Sequence, residues 1–134
     1  MGAYCKTVLL VDDNDVDNLI NRQLLKLNNF ADEVVTKVLA DEALEFLRNE
    51  YKITKTVPDF ILLDIKMPES DGFDFLESFE TFHENLKKKT KIYMLTSSID
   101  KEDEARALGN KNVKNFISKP LTIEVLEKIK EGTF

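Results

Sequence analysis

The chain has 134 residues, and 19 Lys plus Arg against 25 Asp plus Glu give it a formal charge of −6 and a pI near 4.9. That length suits one domain burying roughly two-thirds of its unfolded surface without a disulfide frame or metal finger, and the acidic balance argues against a nucleic-acid binder, which needs a basic face. A single Cys5 cannot form an internal bridge, which fits a reducing, cytoplasmic setting, and apolar runs such as Phe60 to Leu63 fall far short of the about 20 residues of a membrane span, so no membrane insertion is expected.

Short β-rich runs alternate with longer amphipathic stretches, with no repeat, low-complexity tract or Pro/Gly-rich linker between them. This predicts one domain over 1–134, its core within about residues 6–131, and no output domain. Thr7-Val8-Leu9-Leu10-Val11 is β-branched at its ends and apolar between, as suits a strand covered on both faces of a parallel sheet. Beyond Asp12-Asp13-Asn14-Asp15, whose acids are placed to cap a first turn, Val16, Leu19, Ile20, Gln23, Leu24 and Leu27 recur at helical spacing. That helix should stop near Asn28-Asn29. Glu33 to Val38 reads as the second strand, and Ala40, Ala43, Leu44 and Leu47 as the stripe of the second helix.

Lys52 to Thr56 is a polar connection, and Pro58 admits the chain to the third strand, Phe60-Ile61-Leu62-Leu63-Asp64. Phe73, Leu76, Phe79 and Phe82 mark the third helix, with Lys87-Lys88-Lys89 offsetting the dipole at its end. Ile92 to Leu95 is the fourth strand, Asp100 to Leu108 the fourth helix ended by Gly109, and Asn115 to Ser118 the fifth strand. Thr122 caps a fifth helix whose stripe is Ile123, Leu126 and Ile129 or Lys130. Five βα units with right-handed crossovers give an α/β, flavodoxin-like (βα)5 fold, a doubly wound five-stranded parallel sheet in the order 2-1-3-4-5.

Ligands of such a sheet sit beyond the carboxyl ends of the strands. Asp12 and Asp13 end the first strand, Asp64 the third, Thr96 the fourth and Lys119 the fifth, so all five face one rim. Strands one and three are neighbours in that order, which brings three carboxylates together, and like charges that close need raised pKa values or a bound cation. Hard oxygen ligands with room for water suit Mg²⁺. A carboxylate can act as a nucleophile and form an acyl phosphate, while Lys119 offers a point positive charge and Thr96 a hydroxyl to phosphoryl oxygens. Pro120 holds Lys119 out of the helical region, with either peptide isomer open.

Val11-Asp12-Asp13, Leu63-Asp64-Ile65-Lys66-Met67-Pro68 with Asp71-Gly72, Met94-Leu95-Thr96-Ser97 and Phe116-Ile117-Ser118-Lys119-Pro120 together resemble the receiver domain of two-component response regulators across the whole chain. The resemblance implies that Asp64 is the phosphoacceptor, loaded from a sensor histidine kinase or histidine phosphotransfer protein. It implies that Asp12, Asp13, Asp64 and the backbone carbonyl of Lys66 hold Mg²⁺, and that Thr96 and Lys119 bind the phosphoryl oxygens. It further implies a switch in which Thr96 and the aromatic on strand five, here Phe116, remodel the face of the fourth helix, fifth strand and fifth helix for a downstream effector, as a monomer or a phosphorylation-dependent dimer. Phe116 lacks a tyrosine hydroxyl, so packing would carry that motion. Lys66 should project near the mouth with Ser98 opposite, both controlling water access, and Lys66 is expected to prolong the phosphorylated state.

Taken singly, Asp12-Asp13 is a helix cap, Asp64 a turn acid, Thr96 a helix start and Lys119 a surface lysine; it is their coincidence at four strand ends that points to phosphoryl chemistry. His83, with no second His or Cys near it, reads as solvent-exposed, and the nine Phe residues mostly as core. Asp13-Asn14-Asp15-Val16 also imitates the opening of haloacid-dehalogenase-like phosphatases, but Pro120-Leu121-Thr122 supplies none of the acids that class needs after its lysine. An EF-hand fails on Asn18 and Leu24. The remaining alternative is a receiver-like scaffold that is never phosphorylated.

Overall fold

The computed structural model describes residues 2–97 and 100–134. Its strands are β1 (Cys5–Val11), β2 (Ala31–Lys37), β3 (Phe60–Asp64), β4 (Lys91–Thr96) and β5 (Val113–Ser118). They form one parallel sheet in the order β2-β1-β3-β4-β5, as the alternation predicts. The helices are α1 (Asp15–Leu27), α2 (Ala40–Thr54), α3 (Gly72–Glu80), α4 (Glu84–Lys89), α5 (Lys101–Leu108) and α6 (Ile123–Glu131).

Alternate residues of each strand feed two separate cores, because successive side chains point to opposite faces of a sheet. Leu9, Val11, Ile61, Leu63, Ile92 and Met94 pack against Ala43, Leu47, Phe75, Leu76 and Phe79 of α2 and α3 and Ala107 of α5. Val8, Leu10, Phe60, Leu62, Tyr93, Leu95 and Ile117 pack against Leu25 of α1 and Leu126 and Ile129 of α6. β3 is buried at every position, which explains its unbroken apolar run. Phe134 has a place in this second core, its ring centroid 6.0 Å from that of Tyr93.

Several expectations need correction. Most of the apolar series on α1 faces outward: Val16, Leu19, Ile20 and Leu27 are 54–85% exposed, Leu24 is half-buried on the second core, and Asn18, Asn21 and Leu25 are buried. Periodicity identifies a helix but not its rotation, and here the buried Asn18 donates from Nδ2 to the carbonyl oxygen of Asp12 at 2.8 Å, satisfying a strand-end acceptor that an aliphatic side chain would leave bare. The cap of α1 is Asn14 rather than an acid, its Oδ1 accepting the N–H of Asp17. α2 continues to Thr54, through residues read as a connection.

The third helix ends at Glu80, and Phe82 lies beyond it on the way to a separate α4, capped by His83. That short helix has no apolar stripe longer than Leu86, which is why the sequence pattern misses it. The three lysines therefore close α4 rather than α3. With α4 counted, the face expected to signal consists of α5, β5 and α6.

Candidate functional site

Val11 of β1 lies in register with Leu63 of β3, so the next residues along, Asp12 and Asp64, emerge side by side at the carboxyl ends of adjacent strands. Asp12 and Asp64 are buried and Asp13 is exposed. Each of the three contributes a carboxylate oxygen, and these oxygens lie within 4.8 Å of one another. Asp12 is fixed by the N–H of Asn14, which donates to its Oδ1 at 2.9 Å.

Lys119 enters from the end of β5, where its backbone N–H donates to the carbonyl oxygen of Thr96 at 2.8 Å across the edge of β4. The peptide joining it to Pro120 is cis. Its ammonium lies 2.8 Å from Asp12 Oδ2, 3.0 Å from Asp17 Oδ2 and 3.6 Å from Asp64 Oδ2. Thr96 is buried at the end of β4. The structure thus brings together Asp12, Asp13, Asp64, Thr96 and Lys119 from three neighbouring strand ends and the loop after β5.

The carboxyl of Asp64 is pushed up to about 6 by burial first and by the charge of Asp12 next, against the opposing pull of Lys119. Burial alone would lower the Lys119 ammonium, but hydrogen bonds to Asp12 and Asp17 and the charge of Asp64 outweigh it and raise its pKa. Negative charge is therefore in excess at this rim, with a single ammonium balancing it imperfectly. The donor set fits a hard divalent cation: carboxylate oxygens only, two buried and one open to water, with the repulsion on Asp64 only partly offset by the lysine.

Other expected residues are placed more loosely. Lys66 follows β3 with its side chain exposed, and Ser98 lies outside the described residues. Phe116 is half-buried on β5, opposite Met94 of β4, and packs on the core shared with α2 and α3. His83 is exposed, and its Nδ1 accepts the N–H of Asn85 as a helix cap. Asp17 is the member that sequence reasoning misses. Its signal is its spacing: four residues after Asp13, it returns on the next turn of a helix that begins at the pocket.

These observations meet in one assignment: the chain belongs to the response regulator receiver domain family, which matches residues 8–131. It is 34% identical over 122 residues to the sensor histidine kinase CheAY of Helicobacter pylori, a match covering 91% of this chain and only 14% of that protein. It is 27% identical over 130 residues to the response regulator Rcp1 of Synechocystis, covering 95% and 85% of the two chains. The crystal structure of a two-component response regulator from Cytophaga hutchinsonii superposes with a TM-score of 0.88 at 28% identity, covering 96% of both chains. The Mn²⁺-bound form of Rcp1 superposes with a TM-score of 0.71 at 25% identity, covering 95% and 90%. Receiver domains are signalling domains that work with histidine kinases or phosphotransfer proteins. No helix among the described residues is long and apolar enough to cross a membrane.

Proposed function

We propose that this receiver is a phosphorylation-activated switch in which Asp64 accepts a phosphoryl group from a phosphohistidine on a sensor histidine kinase or histidine phosphotransfer protein. The observation that carries this reading is the meeting of Asp12, Asp13 and Asp64 within 4.8 Å, with an ammonium beside them, at the switch point of a doubly wound sheet.

One carboxylate oxygen of Asp64 attacks phosphorus, the P–N bond to the donor imidazole breaks, and the imidazole leaves with a proton, giving an acyl phosphate. Lys119 donates to an equatorial phosphoryl oxygen and the hydroxyl of Thr96 to another. Asp12, Asp13, Asp64 and the backbone carbonyl of Lys66 are the groups that would hold Mg²⁺, which when bound supplies Lewis-acid neutralisation of the carboxylates and the transferring oxygens. Water attack on phosphorus later returns Asp64 to a carboxylate. The exposed Lys66 pairs with a phosphoryl oxygen and prolongs the phosphorylated state, so Lys66→Ala should shorten its lifetime. Thr96 and Phe116 carry the change to the face of α5, β5 and α6, where an effector protein binds; differential contacts of a few kcal/mol suffice to shift such an equilibrium.

The donor docks along α1. Its outward aliphatics, Val16, Leu19 and Ile20, start in the first turn beside the pocket, and an exposed apolar stripe beside a reactive group suits a partner helix.

The test is incubation with Mg²⁺ and acetyl phosphate, read by intact mass. A gain of one phosphoryl group that disappears in Asp64→Ala is the expected result. No gain with any phosphodonor, and no Mg²⁺ binding, would leave a receiver-like scaffold instead.

A further inference from the structure

The pocket contains a fourth carboxylate, Asp17, whose place in the first turn of α1 is set by its own N–H donating to Asn14 Oδ1 at 3.0 Å. An ammonium has three donors. Two from Lys119 are engaged at the β1–α1 junction, by Asp12 Oδ2 at 2.8 Å and Asp17 Oδ2 at 3.0 Å, while Asp64 Oδ2 lies at 3.6 Å, beyond hydrogen-bond length. The ammonium is therefore hydrogen-bonded on the α1 side and only ion-paired, at longer range, with the residue where the phosphoryl group would arrive.

Asp12 and Asp17 differ in what happens next. Asp12 belongs to the set that would hold Mg²⁺, and a bound cation would compete with Lys119 for its carboxylate. Among the described residues the Asp17 carboxylate is engaged by Lys119 and lies outside the Asp12, Asp13 and Asp64 group, so its pull on the ammonium persists. The geometry points to Asp17 as a positioning residue that tethers Lys119 on the α1 side of the pocket and thereby restrains phosphoryl transfer to Asp64. This rests on the reading of Asp64 as phosphoacceptor.

Asp17→Asn keeps the shape and removes the tether. It should raise the rate of phosphorylation by acetyl phosphate at saturating Mg²⁺ about two- to fivefold, the range that a partly exposed ion pair supports. Asp17→Glu, which keeps the charge, should return toward the wild-type rate. Loss of negative charge near an anionic donor would also speed the reaction, so Asp15→Asn is the control: Asp15 is exposed on the same turn, and the ion pairs of Lys119 among the described residues are with Asp12, Asp17 and Asp64.

A readout independent of phosphorylation is the ¹H–¹⁵N correlation of the lysine ammonium groups. The slowly exchanging Lys119 signal should shift in Asp17→Asn and stay in place in Asp15→Asn, with the backbone amide spectrum and Tm confirming a folded protein. Equal acceleration by both variants, or no acceleration by Asp17→Asn while wild type is phosphorylated on Asp64, overturns the tether alone. Wild type that takes up no phosphoryl group overturns both the tether and the reading beneath it.

Discussion

A Cβ placed on Gly72 would lie 2.6 Å from the carbonyl oxygen of Asp64, because α3 begins directly against the backbone leaving β3. The same added carbon would meet Ile65 Cα and Met94 Cε, each at 3.0 Å. The glycine is needed for this close approach. Its N–H donates to the carbonyl oxygen of Ile65 at 2.7 Å, so the loop between β3 and α3 is closed on itself at the pocket. Gly72→Ala must push backbone against backbone, which costs about 1–3 kcal/mol as overpacking does. Because the displaced atoms belong to Asp64 and Ile65, phosphoryl uptake from acetyl phosphate should fall as well. Urea melts together with intact-mass time courses check both effects; an unchanged variant would mean that the loop gives way freely.

The outward stripe of α1 supports a prediction that separates two kinds of donor. Ile20 is 54% exposed, so Ile20→Asp should change stability by less than about 0.5 kcal/mol. If a donor protein buries that side chain, its loss should raise the KM for the protein donor about tenfold or more. Acetyl phosphate needs no docking surface, and its rate should be unaffected. Stopped-flow phosphotransfer with each donor decides the matter, and equal slowing with both would place the effect in the pocket instead.

How far the sequence reaches is clearest at α1. The run Val16, Leu19, Ile20, Leu24, Leu27 dictates a helix, and a helix it is, yet with Asn18, Asn21 and Leu25 buried all of that stripe but the half-buried Leu24 faces solvent. Spacing encodes period, whereas rotation depends on which side chain can satisfy the strand-end carbonyl of Asp12, a tertiary fact. The parallel sheet was legible because the apolar runs of β1, β3 and β4 suit strands covered on both faces, and its order follows from the doubly wound class that alternating βα units define. Asp12, Asp64 and Thr96 were legible for a related reason: each follows such a run directly, with Asp13 next in line and Lys119 just past the fifth strand, so the topology places all five on one rim. Asp17 sits inside a helix and reaches the rim only through its contact with Lys119. α4 was hidden because six residues with one buried side chain carry no period.

Cys5 gives a pH signature away from the pocket. Burial pushes its thiol up to about 12, and the charges of Asp59 and Asp32 add to this. In the unfolded chain the thiol ionises near about 8.5. The folded state therefore holds a proton that the unfolded state releases, so this group's contribution is intact below about pH 8.5 and is lost as pH rises toward 12. The stability difference between wild type and Cys5→Ser should shrink accordingly from pH 8 to pH 10. Iodoacetamide at pH 8 should modify the folded protein far more slowly than the urea-unfolded one, since the thiolate is the nucleophile.

Glu80, at the end of α3, accepts from three directions: Lys87 Nζ at 3.1 Å and Lys111 Nζ at 2.9 Å on Oε1, and Asn112 Nδ2 at 2.6 Å on Oε2. Lys87 also reaches Glu84 at 2.9 Å, so one carboxylate ties α3 to α4 and to the turn before β5. Hydrogen bonds from Lys111, Asn112 and Lys87 hold the Glu80 carboxyl at about 2, well below the usual range. A depressed carboxylate stabilises the fold above its ordinary pKa, and the contribution fades as pH falls through the folded value. Glu80→Gln should therefore lower Tm at pH 7, and the gap to wild type should close as the pH approaches about 2. High salt should narrow the gap at pH 7 only in part, because the lysine contacts are screened while the Asn112 hydrogen bond is not. Thermal melts of the two proteins across that pH range check the sign, and a gap that widened on acidification would show that the cluster strains the junction.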